Sequence, residues 1–145
     1  MELKEKGYTL VEMVVVMALI SVMASLMITS SKWVEEKKLH MKTDEVAAAV
    51  EYVKQAASAT GESYALAFGK KEIYVRDNSN TLFKVKLEQN QEFPNSLRGE
   101  YMWFNGKQVS SLSKTISIEN KSIHKRGKVA VRVATSKVRV YYEKM

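Results

Sequence analysis

The sequence predicts an α+β fold in which one long N-terminal helix packs on a small antiparallel sheet. Residues 10–60 contain neither proline nor glycine, which favours an uninterrupted helix. After Gly61, short segments of alternating apolar and polar residues are separated by clusters of turn-forming residues, which is typical of β-strands. Several antiparallel strands packed on one helix define the α+β class.

The first half of this helix, residues 10–28, is apolar and long enough to cross a membrane. About 19 residues at 1.5 Å per residue give about 28 Å, close to the hydrocarbon thickness of about 30 Å. A secretory signal peptide would have a shorter core followed by a small-residue cleavage site, and no such site follows Ile28. A plain membrane anchor remains an alternative. Charge alone does not decide the orientation, because lysines lie on both sides of the segment.

The second half, residues 30–60, is predicted to be an amphipathic continuation of the same helix. Charged residues fill most of its faces, and Thr60-Gly61 supplies a glycine stop. One face is apolar, with residues recurring at spacings of three, four and seven: Leu39, Val46, Val50, Val53 and Ala57. This face is interpreted as the part of the helix that packs against the sheet.

Seven strands are predicted after Gly61. They are residues 63–68, 72–76, 82–87, 101–104 and 115–119, a strand with Val129, Val131 and Val133 on one face, and a last strand with Val138, Val140 and Tyr142. Turns are predicted at residues 69–71, 77–80 and 135–136. Residues 88–99, which hold the only proline, are predicted to form a loop.

The most specific motif is Gly-Tyr-Thr-Leu-Val-Glu at residues 7–12, directly before the apolar run. A short charged segment ends at Gly7, and Glu12 places a carboxylate near the start of the span. A carboxylate in hydrocarbon is unfavourable by several kcal/mol and normally needs a partner. No basic residue lies nearby on the same face, so we expect the partner to come from another chain. Snorkelling of Glu12 to the membrane interface is the alternative.

This motif resembles the processing and assembly motif of type IV prepilins and pseudopilins. The resemblance implies that a prepilin peptidase cuts between Gly7 and Tyr8 and that Tyr8 is then N-methylated. It also implies that Glu12 pairs with the free α-amine of a neighbouring subunit and sets the register of assembly. Tyr8 departs from the usual phenylalanine of the family but keeps an aromatic ring.

The same resemblance implies a lollipop architecture with four parts. Residues 1–7 are the cleaved leader, and residues 8–29 are the transmembrane and filament-core half of the helix. Residues 30–60 are its amphipathic half, and residues 61–145 form an extracytoplasmic β-rich domain. The expected location is a single pass through the cytoplasmic membrane with the C-terminal domain outside, followed by a pilus at the cell surface.

The second half of the chain adds a weaker resemblance that concerns the subtype. Residues 104–106, 115–118 and 137–140 resemble minor pseudopilins of the general secretion H type and the D-type minor pilin of the Gram-positive competence pilus. Length, charged leader and minimal loops favour the second. This implies a minor pilin that serves DNA uptake in transformation, with an H-type pseudopilin of a type II secretion system as the alternative. The implied partners are major and minor pilins, the prepilin peptidase, the inner-membrane assembly platform and its ATPase, and membrane lipid.

Positive charge is concentrated near the end of the chain. The net charge is +7, and the segment 121–145 contains Glu143 as its only acidic residue. Five cations there are candidate DNA contacts of a pilus-tip module: Arg126, Lys128, Arg132, Lys137 and Arg139. Such a face could contact a phosphate backbone without reading sequence, with Tyr141 or Trp103 adding stacking. A solvated basic face that blocks edge pairing, or one that meets teichoic acid or anionic lipid, is the alternative.

No pattern in the sequence indicates catalysis. A Gly-rich phosphate loop, a Gly-x-Ser-x-Gly motif and metal-ligand spacings are all missing. The chain has no cysteine and only two histidines, His40 and His124, which argues against a thiolate or histidine-based metal site. We therefore predict a structural subunit without catalytic residues, cofactor or metal.

Overall fold

Helix α1, Leu10–Thr60, is the first element of the chain. The computed structural model describes residues 9–78, 80–106, 108–109, 114–132 and 137–145, without the side chains of residues 28–30, 108 and 109. The helix ends at Gly61, which has a φ of +73° and donates its N–H to the carbonyl of Ala57 at 3.0 Å. Glycine adopts this left-handed conformation without steric cost. The predicted helix and its glycine stop are both confirmed.

The described residues after α1 form two antiparallel sheets. Sheet A has the strand order β3-β2-β1-β5-β6, and sheet B has the order β4-β7-β8-β9. The strands are β1 (Tyr64–Phe68), β2 (Glu72–Asp77), β3 (Asn80–Lys86), β4 (Gln91–Glu92), β5 (Tyr101–Asn105), β6 (Gln108–Val109), β7 (Lys114–Asn120), β8 (Lys125–Val131) and β9 (Val138–Lys144). The sequence predicted a single small sheet, and the structure has two. The division depends on which strands pair, and the alternation of apolar and polar residues along a strand does not reveal its neighbours.

The predicted apolar face of α1 lies in the core. Its five residues are each no more than 2% exposed: Leu39, Val46, Val50, Val53 and Ala57. They pack with Leu66 and Ile73 from sheet A and with Ile116 and Val129 from sheet B in one cluster. Full burial of a valine, leucine or isoleucine side chain stabilises a fold by about 1.5–3 kcal/mol. The second half of α1 is therefore held to both sheets by its apolar face.

Strand β8 approaches α1 at Gly127. A Cβ atom at this position would overlap the Thr43 hydroxyl and would lie 3.1 Å from Thr43 Cγ2. The Thr43 hydroxyl donates to the carbonyl of Leu39 at 2.7 Å and is fully buried. Glycine at position 127 therefore permits the observed distance between sheet B and the helix.

The remaining sequence predictions differ from the structure at a few places. The observed strands begin or end within a few residues of the predicted ones, and β8 begins at Lys125. Strand β4 lies inside the predicted loop 88–99, and β6 was not predicted, because a two-residue strand shows no alternation. Asn78 adopts a φ of +38° in the predicted turn between β2 and β3. Ser79, Val133 and the predicted turn at 135–136 lie outside the described residues.

Candidate functional site

The predicted assembly residue Glu12 lies in the first turn of α1. The Thr9 backbone N–H donates to Glu12 Oε2 at 2.8 Å, and the Thr9 hydroxyl donates to the same oxygen at 3.0 Å. In return, the Glu12 N–H donates to Thr9 Oγ1 at 3.3 Å. This reciprocal pattern is a capping box, in which an N-cap Thr and the Glu three residues later satisfy each other's exposed groups. Gly7 and Tyr8, the predicted cleavage and methylation residues, lie outside the described residues.

The capping box adds a local partner for Glu12 that the sequence analysis did not predict. No basic residue lies nearby on the same face, and a partner from another chain stays a prediction. In the structure the carboxylate has a polar partner in its own chain, Thr9. The Thr-x-x-Glu spacing before an apolar run is itself a sequence signal for this arrangement. The Glu12 carboxylate is therefore oriented by its own helix.

The apolar side chains that follow Glu12 are exposed in the single chain. Val14, Met17 and Leu26 are examples, and each exposes more than half of its surface. The Ser21 and Ser25 hydroxyls donate to the carbonyls of Met17 and Ser21 at 2.8 and 2.9 Å, so these donors are satisfied within the helix. By length and composition, α1 is a helix that could cross a membrane. Its apolar surface needs a cover of lipid or of other helices.

The predicted basic face on sheet B carries negatively charged side chains as well as positively charged ones. Arg126 and Lys128 point away from the core, because the residues that alternate with them along β8 are buried. These buried residues are Gly127 and Val129. Arg126 Nη2 lies 2.7 Å from Glu119 Oε1, and Lys128 Nζ lies 2.5 Å from Glu143 Oε1. The hydrogen bond from Lys128 lowers the pKa of the Glu143 carboxyl. Two of the five candidate DNA contacts are therefore already paired with carboxylates.

The other three candidates lie together at one end of the β8–β9 pair. Arg132, Lys137 and Arg139 are exposed, and the Arg132 N–H donates to the carbonyl of Lys137 at 3.3 Å. Arg139 lies opposite Ala130 in the strand register. None of the three forms an ion pair with a described residue. We refer to Arg132, Lys137 and Arg139 as the hairpin cations.

Strand β9 is tied to α1 by a contact that the sequence did not reveal. The Tyr142 ring stacks on the His40 ring with centroids 3.8 Å apart, and its hydroxyl donates to Asp44 at 3.3 Å. Burial, together with the Asp44 carboxylate, raises the pKa of Tyr142 to about 12. Nearby, Lys125 Nζ lies 2.5 Å from Glu36 Oε1. The Tyr142 contacts hold β9, which carries Arg139, to the helix, and the Lys125 ion pair holds the neighbouring strand β8.

Neither histidine belongs to a metal-binding arrangement. His40 stacks on Tyr142, and His124 lies in the turn between β7 and β8 with a φ of +51°. Within the described part of the chain, no group of three or more His, Asp or Glu side chains could hold a metal ion.

Comparisons with known proteins address the N-terminal motif and the fold. Residues 3–28 match the family model of the prokaryotic N-terminal methylation motif. No curated protein matches the chain. Among solved structures, the chain is similar to the type IV minor pilin FimU of Pseudomonas aeruginosa, strain PAO1. The TM-score is 0.58 at 12% sequence identity, over 75% of this chain and 92% of that chain. At this identity the likeness is one of fold.

The chain therefore has the fold of a type IV pilin, with one long N-terminal helix packed on antiparallel strands. Its matched methylation motif covers Gly7, Tyr8 and Glu12, the residues singled out from the sequence. The predicted fold class is confirmed.

Proposed function

We propose that this chain is a minor pilin, a structural subunit that is made as a membrane-anchored prepilin and assembled into a type IV filament. The observation that carries the proposal is the presence in one chain of the matched methylation motif and the pilin fold. The exposed apolar surface of α1 supports it, because such a surface is stable in lipid and can afterwards be covered by the helices of other subunits. The proposed partners are other major and minor pilins, the prepilin peptidase, and the inner-membrane platform with its ATPase.

The roles of the N-terminal residues follow from this proposal. Cleavage after Gly7 removes residues 1–7 and gives Tyr8 a free α-amine, which is then methylated. An α-amine has an ordinary pKa of about 8 and is positively charged at neutral pH. The amine of a neighbouring subunit pairs with the Glu12 carboxylate as the helix leaves the bilayer, and this pair sets the register. Residues 8–29 then lie in the filament core, and residues 61–145 face outward.

Intact mass of the chain from its native host tests the proposed processing. The expected mass lacks residues 1–7 and includes one added methyl group. In a Gly7→Val variant we expect the full-length mass, because valine places a branched side chain at the scissile position, where glycine has none. A Lys4→Gln variant, which alters the leader but keeps the glycine, should be processed as wild type. Detection of only the unprocessed Met1 form in wild type would contradict the proposal.

We further propose that the filament is a competence pilus used for DNA uptake in transformation, in which this subunit joins a priming or tip complex. The net charge of +7 supports this proposal. The hairpin cations support it as well, because they have no carboxylate partner among the described residues. An exposed basic group of this kind favours contact with a polyanion. The alternative within the same class is an H-type minor pseudopilin of a type II secretion system.

Charge reversal of the hairpin cations tests whether they contact DNA during uptake. In an Arg132→Glu, Lys137→Glu, Arg139→Glu variant we expect normal amounts of subunit in sheared filaments. DNA uptake should fall by about tenfold or more, because three phosphate contacts are lost. The matched control exchanges Arg132 and Arg139 for lysine and Lys137 for arginine, which preserves charge and should preserve uptake. Unchanged uptake in the reversed variant would show that these cations only keep the strand soluble.

A further inference from the structure

The face of sheet A that turns away from α1 carries an exposed pair of aromatic rings. Along β5, Met102 and Phe104 point into the core, so the residues between and before them point outward. Tyr101 and Trp103 are 50% and 44% exposed. Their rings are stacked, with centroids 6.2 Å apart and an interplanar angle of 22°. Large exposed rings that lie side by side typically mark an interaction surface.

A shallow floor separates this pair from a third ring. In the strand register, Ala67 lies between Tyr101 of β5 and Tyr74 of β2. The two tyrosines are therefore two strand spacings apart, about 9.6 Å, with a methyl group between them. A cavity of about 160 Å³ opens at this place and is lined by Ala67, Tyr74 and Tyr101 among others. Ala67 itself is 8% exposed, so the rings and not the alanine supply most of the surface that a flat group would contact.

A cation lies in the next row of the same face. In this row Ala65 lies between Trp103 of β5 and Arg76 of β2. As in the first row, an alanine separates an aromatic ring from a larger side chain. The Arg76 guanidinium lies 6.0 Å from the centre of the Tyr74 ring. Its Nε has no hydrogen-bond partner among the described residues and is buried. Arg76 forms no ion pair with a described carboxylate, so its charge is available to a ligand.

Strand β3 adds two lysines to the edge of this face. Lys84 lies opposite Tyr74 and Lys86 lies opposite Glu72 in the register. The Glu72 carboxylate accepts a hydrogen bond from the Tyr74 hydroxyl at 2.6 Å and lies 3.6 Å from Lys84 Nζ. Lys86 forms no ion pair with a described residue. The three cations Arg76, Lys84 and Lys86 therefore outnumber the two carboxylates of these strands, Glu72 and Asp77.

The combination of stacked rings, small floor residues and bordering cations matches the chemistry of an unpaired nucleic acid strand. Unpaired bases stack on aromatic side chains, and the backbone follows a positively charged groove. In a duplex the faces of the bases are already stacked on one another and cannot use the rings. A neutral sugar could lie on the rings but would gain nothing from the cations.

We propose that this face of sheet A, the aromatic platform, binds single-stranded nucleic acid without sequence preference. Tyr101 and Trp103 stack bases, and Arg76, Lys84 and Lys86 contact phosphates. The platform lies on a different sheet from the hairpin cations. Binding to it does not require filament assembly, so it can be tested on the single chain.

The test uses the full chain in non-ionic detergent micelles and a labelled 20-nucleotide oligo-dT. We expect oligo-dT to raise fluorescence anisotropy and to quench Trp103 in a Trp33→Phe background, in which Trp103 is the only tryptophan. Trp103→Ala should weaken binding by about tenfold or more, since stacking contributes strongly for each base. Trp103→Phe keeps a ring and should retain most of the affinity. Tyr52→Ala, which removes a ring of similar exposure from α1, is the matched control and should change nothing.

A second variant tests the role of the cations. The double variant Lys84→Gln, Lys86→Gln should reduce the magnitude of the slope of log affinity against log salt concentration by about 1.4. Each single-strand phosphate contact contributes about 0.7, and two contacts are removed. Equal affinity for a 20-base-pair duplex, with no effect of Trp103→Ala, would overturn the proposal in favour of charge alone. Quenching of Trp103 by a neutral oligosaccharide but not by oligo-dT would overturn it in favour of a sugar site. Absence of both binding and quenching would overturn it outright.

Discussion

Replacement of Glu12 by leucine is expected to remove the chain from filaments while leaving its processing and membrane insertion intact. Glu12 is the only acidic residue between Leu10 and Val34, so the variant helix carries no charged side chain from Leu10 to Ser31. Leucine stabilises the helix in lipid and removes the carboxylate proposed to pair with the neighbouring amine. Removal of one partner from a buried ion pair is unfavourable by about 3–5 kcal/mol, which corresponds to a loss of incorporation of more than about a hundredfold.

The capping box makes it possible to separate two roles of the same carboxylate. Glutamine can occupy the third helical position of a capping box as glutamate does, but it carries no charge. Glu12→Gln should therefore retain the contact with Thr9 and still fail to assemble. Thr9→Val removes the hydroxyl but keeps the carboxylate, and its effect should be limited to the loss of a cap, about 1 kcal/mol.

The measurement is the amount of subunit in sheared filaments relative to the membrane fraction, with intact mass as a control for processing. We expect Glu12→Leu and Glu12→Gln to be absent from filaments and Thr9→Val to be present. Normal incorporation of Glu12→Gln would show that capping, and not charge, is what Glu12 contributes.

Gly127→Ala is expected to cause a large loss of folding stability in the β-rich part of the chain. Its Cβ would overlap the Thr43 hydroxyl, which is buried and bonded to the carbonyl of Leu39. Overpacking of this kind is unfavourable by about 1–3 kcal/mol, because helix and strand have to move apart or Thr43 has to leave its rotamer. Denaturant unfolding of the full chain in micelles, followed by circular dichroism, measures the loss.

A second-site change tests the cause of this loss. Thr43→Ala removes the overlapping hydroxyl and the methyl at 3.1 Å, and leaves a Cβ at 3.2 Å. We therefore expect Gly127→Ala to be less destabilising in a Thr43→Ala background than in wild type. In contrast, a Cβ at Gly106 would lie 2.6 Å from Gly61 Cα and 2.8 Å from the Ala57 carbonyl oxygen, and no side-chain truncation relieves contacts with backbone.

The matched control for this experiment is Ala130→Val on the opposite face of β8. Ala130 is only partly buried and points away from the core, so added methyl groups there should change stability little. Additive losses for Thr43→Ala and Gly127→Ala would contradict the overlap between the two side chains.

Local patterns in the sequence were sufficient to predict the helix and the assembly motif. The apolar face from Leu39 to Ala57 depends only on helical periodicity, and the stop at Gly61 depends only on its own backbone conformation. The Thr9–Glu12 capping box was not predicted, although both partners lie within one turn and their spacing is a known signal for it. Alternation likewise located most strands, although the residues on each strand do not say which strand lies beside it.

Tertiary structure decided what depends on pairing between distant segments. The register of β7, β8 and β9 brings Glu119 and Glu143 to Arg126, so that a run of cations in the sequence becomes a mixed surface with the hairpin cations at one end. The register of sheet A likewise places the alanines of β1 beside the exposed rings of β5. The sequence by itself determined the helix, its stop and the N-terminal motif, because these depend on contacts within a few residues. The division into two sheets, the Gly127 contact and the aromatic platform depend on strand order and register, which no local pattern specifies.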